Sequence, residues 1–411
     1  MNSKSQSFIQ EVFSKYYRMR YVPRGVSEID KREFGFSLFE GFMLRHKKFS
    51  NYEELKDFLA ESPPKDAYYS CAYYEEPEAD MDKKGWLGAD LIFDIDADHI
   101  PAECEKIHDE WRCGNCNFVG KGLTPEKCPL CGSEKISAIT WPCEKCLDSA
   151  KNETLKLLEI LMDDFGFSKD EIKVFFSGHR GYHVQIESEI IKELNAFERK
   201  EIVDYITGLG FEPSTLQING YKVNLEASST PWAHGWRKRL QEGLLDFLKE
   251  ADERKLARIG LKRNFAERII QNKEKLIENL KSGRWSGIKG IGPQTFMKLM
   301  NYVIKARSAK IDSVVTTDTH RLIRLPESLN SKTGFRKTEL HPKDLEKFDP
   351  FKSAIAFDDE SRVVLFVQDA PKFRIKDEEF GPYKNKKIEV PMQAAVLLVC
   401  KNKAEVLQYN V

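Results

Sequence analysis

Hydrophobic and polar positions recur with different periods in successive stretches of this chain. Between Ser3 and Tyr17, the residues Phe8, Val12, Phe13, Tyr16 and Tyr17 fall at helical spacing, which predicts an N-terminal helix with one apolar face. Leu91, Ile92, Phe93 and Ile95, in LIFDIDADH, read as a buried strand, and Lys173 to Phe176 (KVFF) as another. After the turn SGHRG, Tyr182 to Ile186 returns to apolar–polar alternation, so this region predicts strand–turn–strand. Strands and helices alternate up to 230, interrupted by a cysteine-rich stretch. From 233 to 308 the pattern becomes helical and highly charged, as in GLLDFLKEADERKLARI and NFAERIIQNKEKLIENL. Mixed sequence resumes at Ile311, and the tail (IEVPMQ, then AAVLLVC) reads as strands that close a sheet. The pattern predicts an α/β (α+β) protein built on a mixed sheet. Its main domain is discontinuous (1–102, 148–232 and 309–411), with a metal-binding insert at 103–147 and a helical subdomain at 233–308.

Composition adds bounds. A chain of 411 residues that is 41% hydrophobic can bury one large core or two modest ones. Its 65 basic and 65 acidic residues balance, so any contact with nucleic acid must use local basic stretches. Trp236 to Arg239, Arg321 to Lys337 and Lys372 to Lys387 are candidates, although each also fits a solvated face. SGIKGIGPQTFMKLM resembles half of a helix-hairpin-helix and fits a plain helical turn equally well. The polar start MNSKSQSFIQ has no signal-peptide character, and no apolar run reaches membrane-spanning length. A cytoplasmic protein without a membrane partner is therefore expected.

Two short segments carry the candidate chemistry. On a strand, residues two apart share a face, so Asp94 and Asp96 project together while Ile95 points the other way. Side-by-side buried carboxylates repel, and a hard divalent cation such as Mg²⁺ relieves that repulsion. The motif alone also fits two aspartates at a solvated strand end. In SGHRG, Gly178 and Gly181 permit close backbone approach, and Arg180 offers a planar fork suited to phosphate oxygens. An ordinary hairpin with a surface arginine is the alternative. Gly-Lys-Ser/Thr is absent, so nothing points to a P-loop.

Seven of the nine cysteines lie between Cys104 and Cys146, which favours metal over a disulfide framework. Cys113-x-x-Cys116, eleven residues, then Cys128-x-x-Cys131 has the spacing of a zinc ribbon with a closed structural Zn²⁺ site. Cys104-x-x-x-His108 precedes it and Cys143-x-x-Cys146 follows it. These outer four either form a second site or remain free. Cys71 and Cys400 have no partner by spacing and are expected to be buried thiols.

Four motifs in order, Arg32-Glu-Phe34, Asp94-Ile-Asp96, Ser177-Gly-x-Arg-Gly-x-His183 and Lys332-Thr-Gly334, resemble the small catalytic subunit of archaeal and eukaryotic DNA primase. The archaeal form is the closer match, through the tyrosine of RGYH and the segment RLIRLPESL, and the likeness runs from about residue 7 to about 380. The resemblance implies that Asp94, Asp96 and a third aspartate hold two Mg²⁺ or Mn²⁺ ions. Spacing to Lys-Thr-Gly favours Asp312 over Asp318 as that third residue. It further implies that Ser177, Arg180, His183 and Lys332 hold a nucleoside triphosphate, that Arg324 lies on the route to it, and that Glu33 and Arg45 line the site. Where the family usually has histidine, two residues before the lysine, this chain has Asn330, which can hydrogen-bond but cannot carry positive charge.

The same resemblance assigns Cys104, His108, Cys143 and Cys146 to a family zinc knuckle, with the ribbon inserted at its tip, so two Zn²⁺ ions are expected. It also implies a single-stranded DNA template, nucleoside triphosphates and a large partner subunit with an iron–sulfur domain. Two rivals stay open at this stage. One is a repair polymerase of the same superfamily, which typically lacks the knuckle. The other is a non-catalytic zinc-ribbon subunit that binds nucleic acid.

Overall fold

The computed structural model describes residues 2–211, 218–219, 222–223, 234–281, 292–357 and 361–409. The chain divides into two compact units. The first comprises Met1–Leu155, Lys169–Arg199 and Ile311–Val411, and the second Lys156–Ser168 and Lys200–Lys310.

The first unit has helices α1 (Ser3–Met19) and α2 (Met392–Cys400). Its sheets use β1 (Phe34–Ser37), β2 (Met43–Lys47), β3 (Asp66–Ser70), β4 (Leu91–Asp96), β5 (Ile172–Phe176) and β6 (Gly181–Ile186). Later in the chain come β7 (Leu322–Arg324), β8 (Thr338–Leu340), β9 (Arg362–Ala370), β10 (Tyr383–Pro391) and β11 (Ala404–Tyr409). Three sheets result, ordered β7-β3-β1-β2, β8-β5-β6-β4 and β10-β9-β11. The α1 face predicted from spacing is buried, with Phe8, Val12, Phe13, Tyr16 and Tyr17 all in the core.

Two expectations need correction. Every strand pairing among the described residues is antiparallel, so the main sheets are not mixed. Alternating strands and helices in sequence leave strand direction open until long connections place each strand. The run AAVLLVC is part of helix α2 and not a strand. Residues 392–399 are all buried, so an apolar run without amphipathic period is compatible with either element. The closing strands are β10 and β11 on either side of β9.

The register of β6 against β4 positions the site. His183 stands opposite Asp94 and Gly181 opposite Asp96. Phe93 and Ile95 are fully buried behind them, as period-two alternation requires. Gly181 is needed for close approach, since a Cβ there would lie 2.2 Å from the Ile95 carbonyl oxygen.

The second unit is helical where it is described between 234 and 307. Trp236–Glu250, Glu253–Arg258, Arg263–Gln271, Lys273–Lys281 and Pro293–Arg307 pack Leu240, Leu244, Leu248, Ile269, Leu276, Leu299 and Met300 into one core. The basic stretch Trp236 to Arg239 is not a free surface patch: Trp236 and Arg239 are buried, and Arg239 Nε pairs with Asp164 at 2.6 Å. The glycine-rich turn of SGIKGIG lies outside the described residues, and the helix after it begins at Pro293. No helix among the described residues is long and apolar enough to cross a membrane.

Candidate active site and metal centres

The face of β4 and β6 that carries Asp94 and Asp96 opens into a cavity of about 200 Å³. Ser177, His179, Gly181, His183, Arg321, Arg324, Asn330 and Lys332 also line it. Asp312 arrives from a distant stretch, and its backbone N–H donates to the Asp94 carbonyl at 2.9 Å. Its carboxylate accepts from the Val314 N–H and so starts the short helix Ser313–Thr317. Asp318 is used differently: it accepts from the His320 N–H at 3.0 Å and faces Arg321 at 3.9 Å.

This crowding shows in protonation. Burial, and then the carboxylates of Asp96 and Asp312, push Asp94 up to about 7. Burial also raises Asp96, against the pull of Arg180, His99, Lys332 and Lys106. Asp96 Oδ1 accepts from the Asp98 N–H at 2.8 Å. His183 Nε2 is 3.5 Å from Asp94 Oδ1, while its buried Nδ1 has no partner. Burial, with Lys337, Arg324 and Arg321 nearby, holds the His183 imidazole well below its ordinary range and therefore neutral.

A pH prediction follows from Asp94. Its folded carboxyl binds a proton more tightly than an unfolded one, so stability of the metal-free protein falls as pH rises from the ordinary carboxylate range through about 7. A divalent cation at the carboxylates offsets that penalty only where they are ionised. The rise in melting temperature on adding Mn²⁺ is therefore expected to be larger at about pH 8 than at about pH 6, which thermal melts at both values will check.

The phosphate-side candidates fall into two groups. Ser177, His183, Arg324, Asn330 and Lys332 reach the cavity together with the aspartates. Arg324 Nη1 is fixed by Asp66 at 2.6 Å and by the Leu329 carbonyl at 2.9 Å. Asn330 Nδ2 donates to the Ser177 carbonyl at 3.3 Å, and its Oδ1 accepts from the Lys332 N–H at 3.0 Å. It thus ties the Ser177 turn to the Lys332 loop. The remaining three are not among the cavity-lining residues. Arg180 is buried and turned toward Asp98 and Asp109. Glu33, just before β1, is buried against Arg45 at 3.0 Å and Lys84 at 3.3 Å.

A sequence model described as DNA primase small subunit matches residues 133–342. The DNA primase small subunit PriS of Nitrosopumilus maritimus is 35% identical over 411 residues, covering 99% of this chain and 100% of the relative. That of Cenarchaeum symbiosum is 31% identical, covering 98% and 99%. That of Pyrobaculum calidifontis is 35% identical over 340 residues, covering 82% and 80%. The chain belongs to the DNA primase small-subunit family. Such agreement along the whole chain disfavours the repair-polymerase and non-catalytic readings.

Both cysteine-rich groups of this primase-family chain gather. The ligand atoms of Cys104, His108, Cys143 and Cys146 lie within 4.8 Å of one another, as do those of Cys113, Cys116, Cys128 and Cys131. In the outer set His108 Nε2 is 3.0 Å from Cys143 Sγ, and Cys104 Sγ is 3.4 Å from Cys146 Sγ. In the inner set, Cys113–Cys131 and Cys116–Cys128 are each 3.6 Å apart. Four soft or borderline ligands in each set suit Zn²⁺ with no open position. The inner set sits on a small sheet of Glu110–Cys113, Val119–Lys121 and Ile136–Ile139. Cys71 and Cys400 lie outside both sets, and burial pushes each thiol up to about 12.

Several residues around the site had no role assigned from the sequence. Lys337 is buried and donates to the Arg324 carbonyl at 2.7 Å, and burial beside Arg324 pulls it down to about 7. Lys401, just past α2, donates to His179 Nε2 at 2.7 Å. Asp66 accepts from both Arg324 and Ser331. Lys337 ends the basic stretch Arg321 to Lys337 noted in the sequence, whereas no local motif marks Lys401 or Asp66. Only long-range packing brings Lys401 and Asp66 to His179 and Arg324, which line the cavity.

Proposed function

We propose that this chain is a nucleotidyltransferase, a DNA-dependent RNA polymerase that joins nucleoside triphosphates into short primers on single-stranded DNA. The observation that carries the reading is the convergence of three carboxylates, Asp94 and Asp96 on a cavity also lined by Ser177, His183, Arg321, Arg324 and Lys332, with Asp312 held against Asp94. Paired buried carboxylates with raised affinity for protons are the donor set that a hard divalent cation relieves, so the residues fit Mg²⁺ or Mn²⁺. Bound there, such ions would make a 3′-hydroxyl more acidic and neutralise the departing pyrophosphate.

The chain's own residues do the rest. Arg321, Arg324 and Lys332 place positive charge where the triphosphate lies. Ser177 offers a hydroxyl, and the neutral His183 keeps an N–H for a nucleotide oxygen without adding charge beside Asp94. Asn330 holds the two phosphate-side loops together in place of the family's usual histidine. Buried Glu33, with Arg45 and Lys84, supports the neighbouring sheet rather than the reacting atoms. Family membership implies a large partner subunit and the replication machinery as the setting.

The test is synthesis on unprimed single-stranded DNA with labelled nucleotides and Mg²⁺ or Mn²⁺. New short products are the expected result. Extension only of a supplied primer would support a template-dependent polymerase without initiation, and no synthesis at all would defeat the catalytic reading.

A further inference from the structure

A continuous line of buried and half-buried polar contacts joins the outer cysteine–histidine set to the carboxylates. His108 presents Nε2 to the other ligands of that set and Nδ1 to Asp109 Oδ1, at 2.8 Å. With Nε2 on a metal, the proton sits on Nδ1 and is donated to Asp109. Asp109 is only 4% exposed and also accepts from the Trp141 N–H at 2.8 Å. Arg180 Nη1 then spans both oxygens of Asp109, at 2.9 and 2.7 Å. The other end of the same guanidinium, Nη2, donates to Asp98. Asp98 in turn donates its N–H to Asp96 Oδ1 at 2.8 Å, and the Arg180 carbonyl accepts from the Ala97 N–H at 3.1 Å. Asp96 is thus bracketed on its C-terminal side by two ties to a single buried arginine.

We infer that the outer set is a positioning device for the catalytic carboxylates, acting through Asp109, Arg180 and Asp98 upon Asp96. The inference rests on the reading of Asp94 and Asp96 as the divalent-cation site. Arg180 is 1% exposed, and both of its terminal nitrogens are committed to carboxylates. A planar guanidinium spans two carboxylates with separate, rigidly placed nitrogens, whereas an ammonium must serve both from one nitrogen without that fixed geometry. Arg180 therefore acts as a positioning residue. A metal at the outer set fixes the His108 ring, the ring fixes Asp109, and the turn bearing Asp96 cannot shift without breaking the line.

The test is Mn²⁺ binding without nucleotide or template, read by electron paramagnetic resonance, with zinc content measured on the same samples. Asp109→Asn, Arg180→Lys and Asp98→Ala are each expected to weaken Mn²⁺ binding by about tenfold or more. Asp98→Ala and Arg180→Lys should keep their full zinc content. The Asp109→Asn/Asp98→Ala double variant should be no weaker than the worse single one, because both interrupt the same line. Cys104→Ser should lose one zinc equivalent and weaken Mn²⁺ to the same extent. Wild-type Mn²⁺ affinity in Arg180→Lys or Cys104→Ser would overturn the inference, as would multiplied effects in the double variant. Weakened nucleotide binding in Arg180→Lys with unchanged Mn²⁺ affinity would instead make Arg180 a triphosphate contact. Absence of Mn²⁺ binding by the wild type would defeat the carboxylate reading itself, a result distinct from any of these.

Discussion

Primer synthesis is expected to fall by about a thousandfold or more in Asp94→Ala/Asp96→Ala, while the metal-free protein keeps its melting temperature or gains a little. Both halves have the same origin. The two carboxylates share one face of β4, with Asp312 beside them, and burial and mutual repulsion raise Asp94 to about 7. Such groups oppose folding when ionised, so alanine removes a cost to the fold together with the proposed cation site. Synthesis assays and thermal melts on the same preparations decide the matter. Retained synthesis would dismiss these residues as the metal ligands. Lost synthesis with a collapsed melting temperature would mark them as structural instead.

Loss of zinc from the outer set should have the next largest effect. Cys104 and His108 follow the turn after β4, and Cys143 and Cys146 stand at the start of the helix Glu144–Asp163, so one site pins two segments. Structural Zn²⁺ contributes on the order of 10 kcal/mol where it organises a fold. Cys143→Ala/Cys146→Ala is therefore expected to lower the melting temperature by more than about 10 °C, on a scale of roughly 2–4 °C per kcal/mol. Cys128→Ser/Cys131→Ser should cost one zinc equivalent and only a few degrees, about a third of that effect or less. The inner set closes upon its own three-stranded sheet, so its unfolding can remain local. Calorimetry with metal analysis checks both, and equal losses would contradict the separate roles of the two sites.

Some features follow from chain geometry over a few residues, and these the sequence determined by itself. Period two put Asp94 and Asp96 on one face, helical spacing defined the buried side of α1, and the four-residue units Cys113–Cys116 and Cys128–Cys131 announced a metal site. Each depends on torsion angles and reach within one element, which no distant contact needs to supply.

The tertiary structure decided what depends on partners far along the chain. It made AAVLLVC a helix, because burial on every side removes the periodicity that would distinguish it from a strand. It set Asp312 rather than Asp318 beside Asp94, across more than two hundred residues of chain. It turned the Arg180 guanidinium toward Asp98 and Asp109, and it delivered Lys401 to His179. Hydrogen-bond partners and proton affinities of buried groups are set by whichever atoms packing places within about 3 Å, and residue type or spacing along the chain does not encode that.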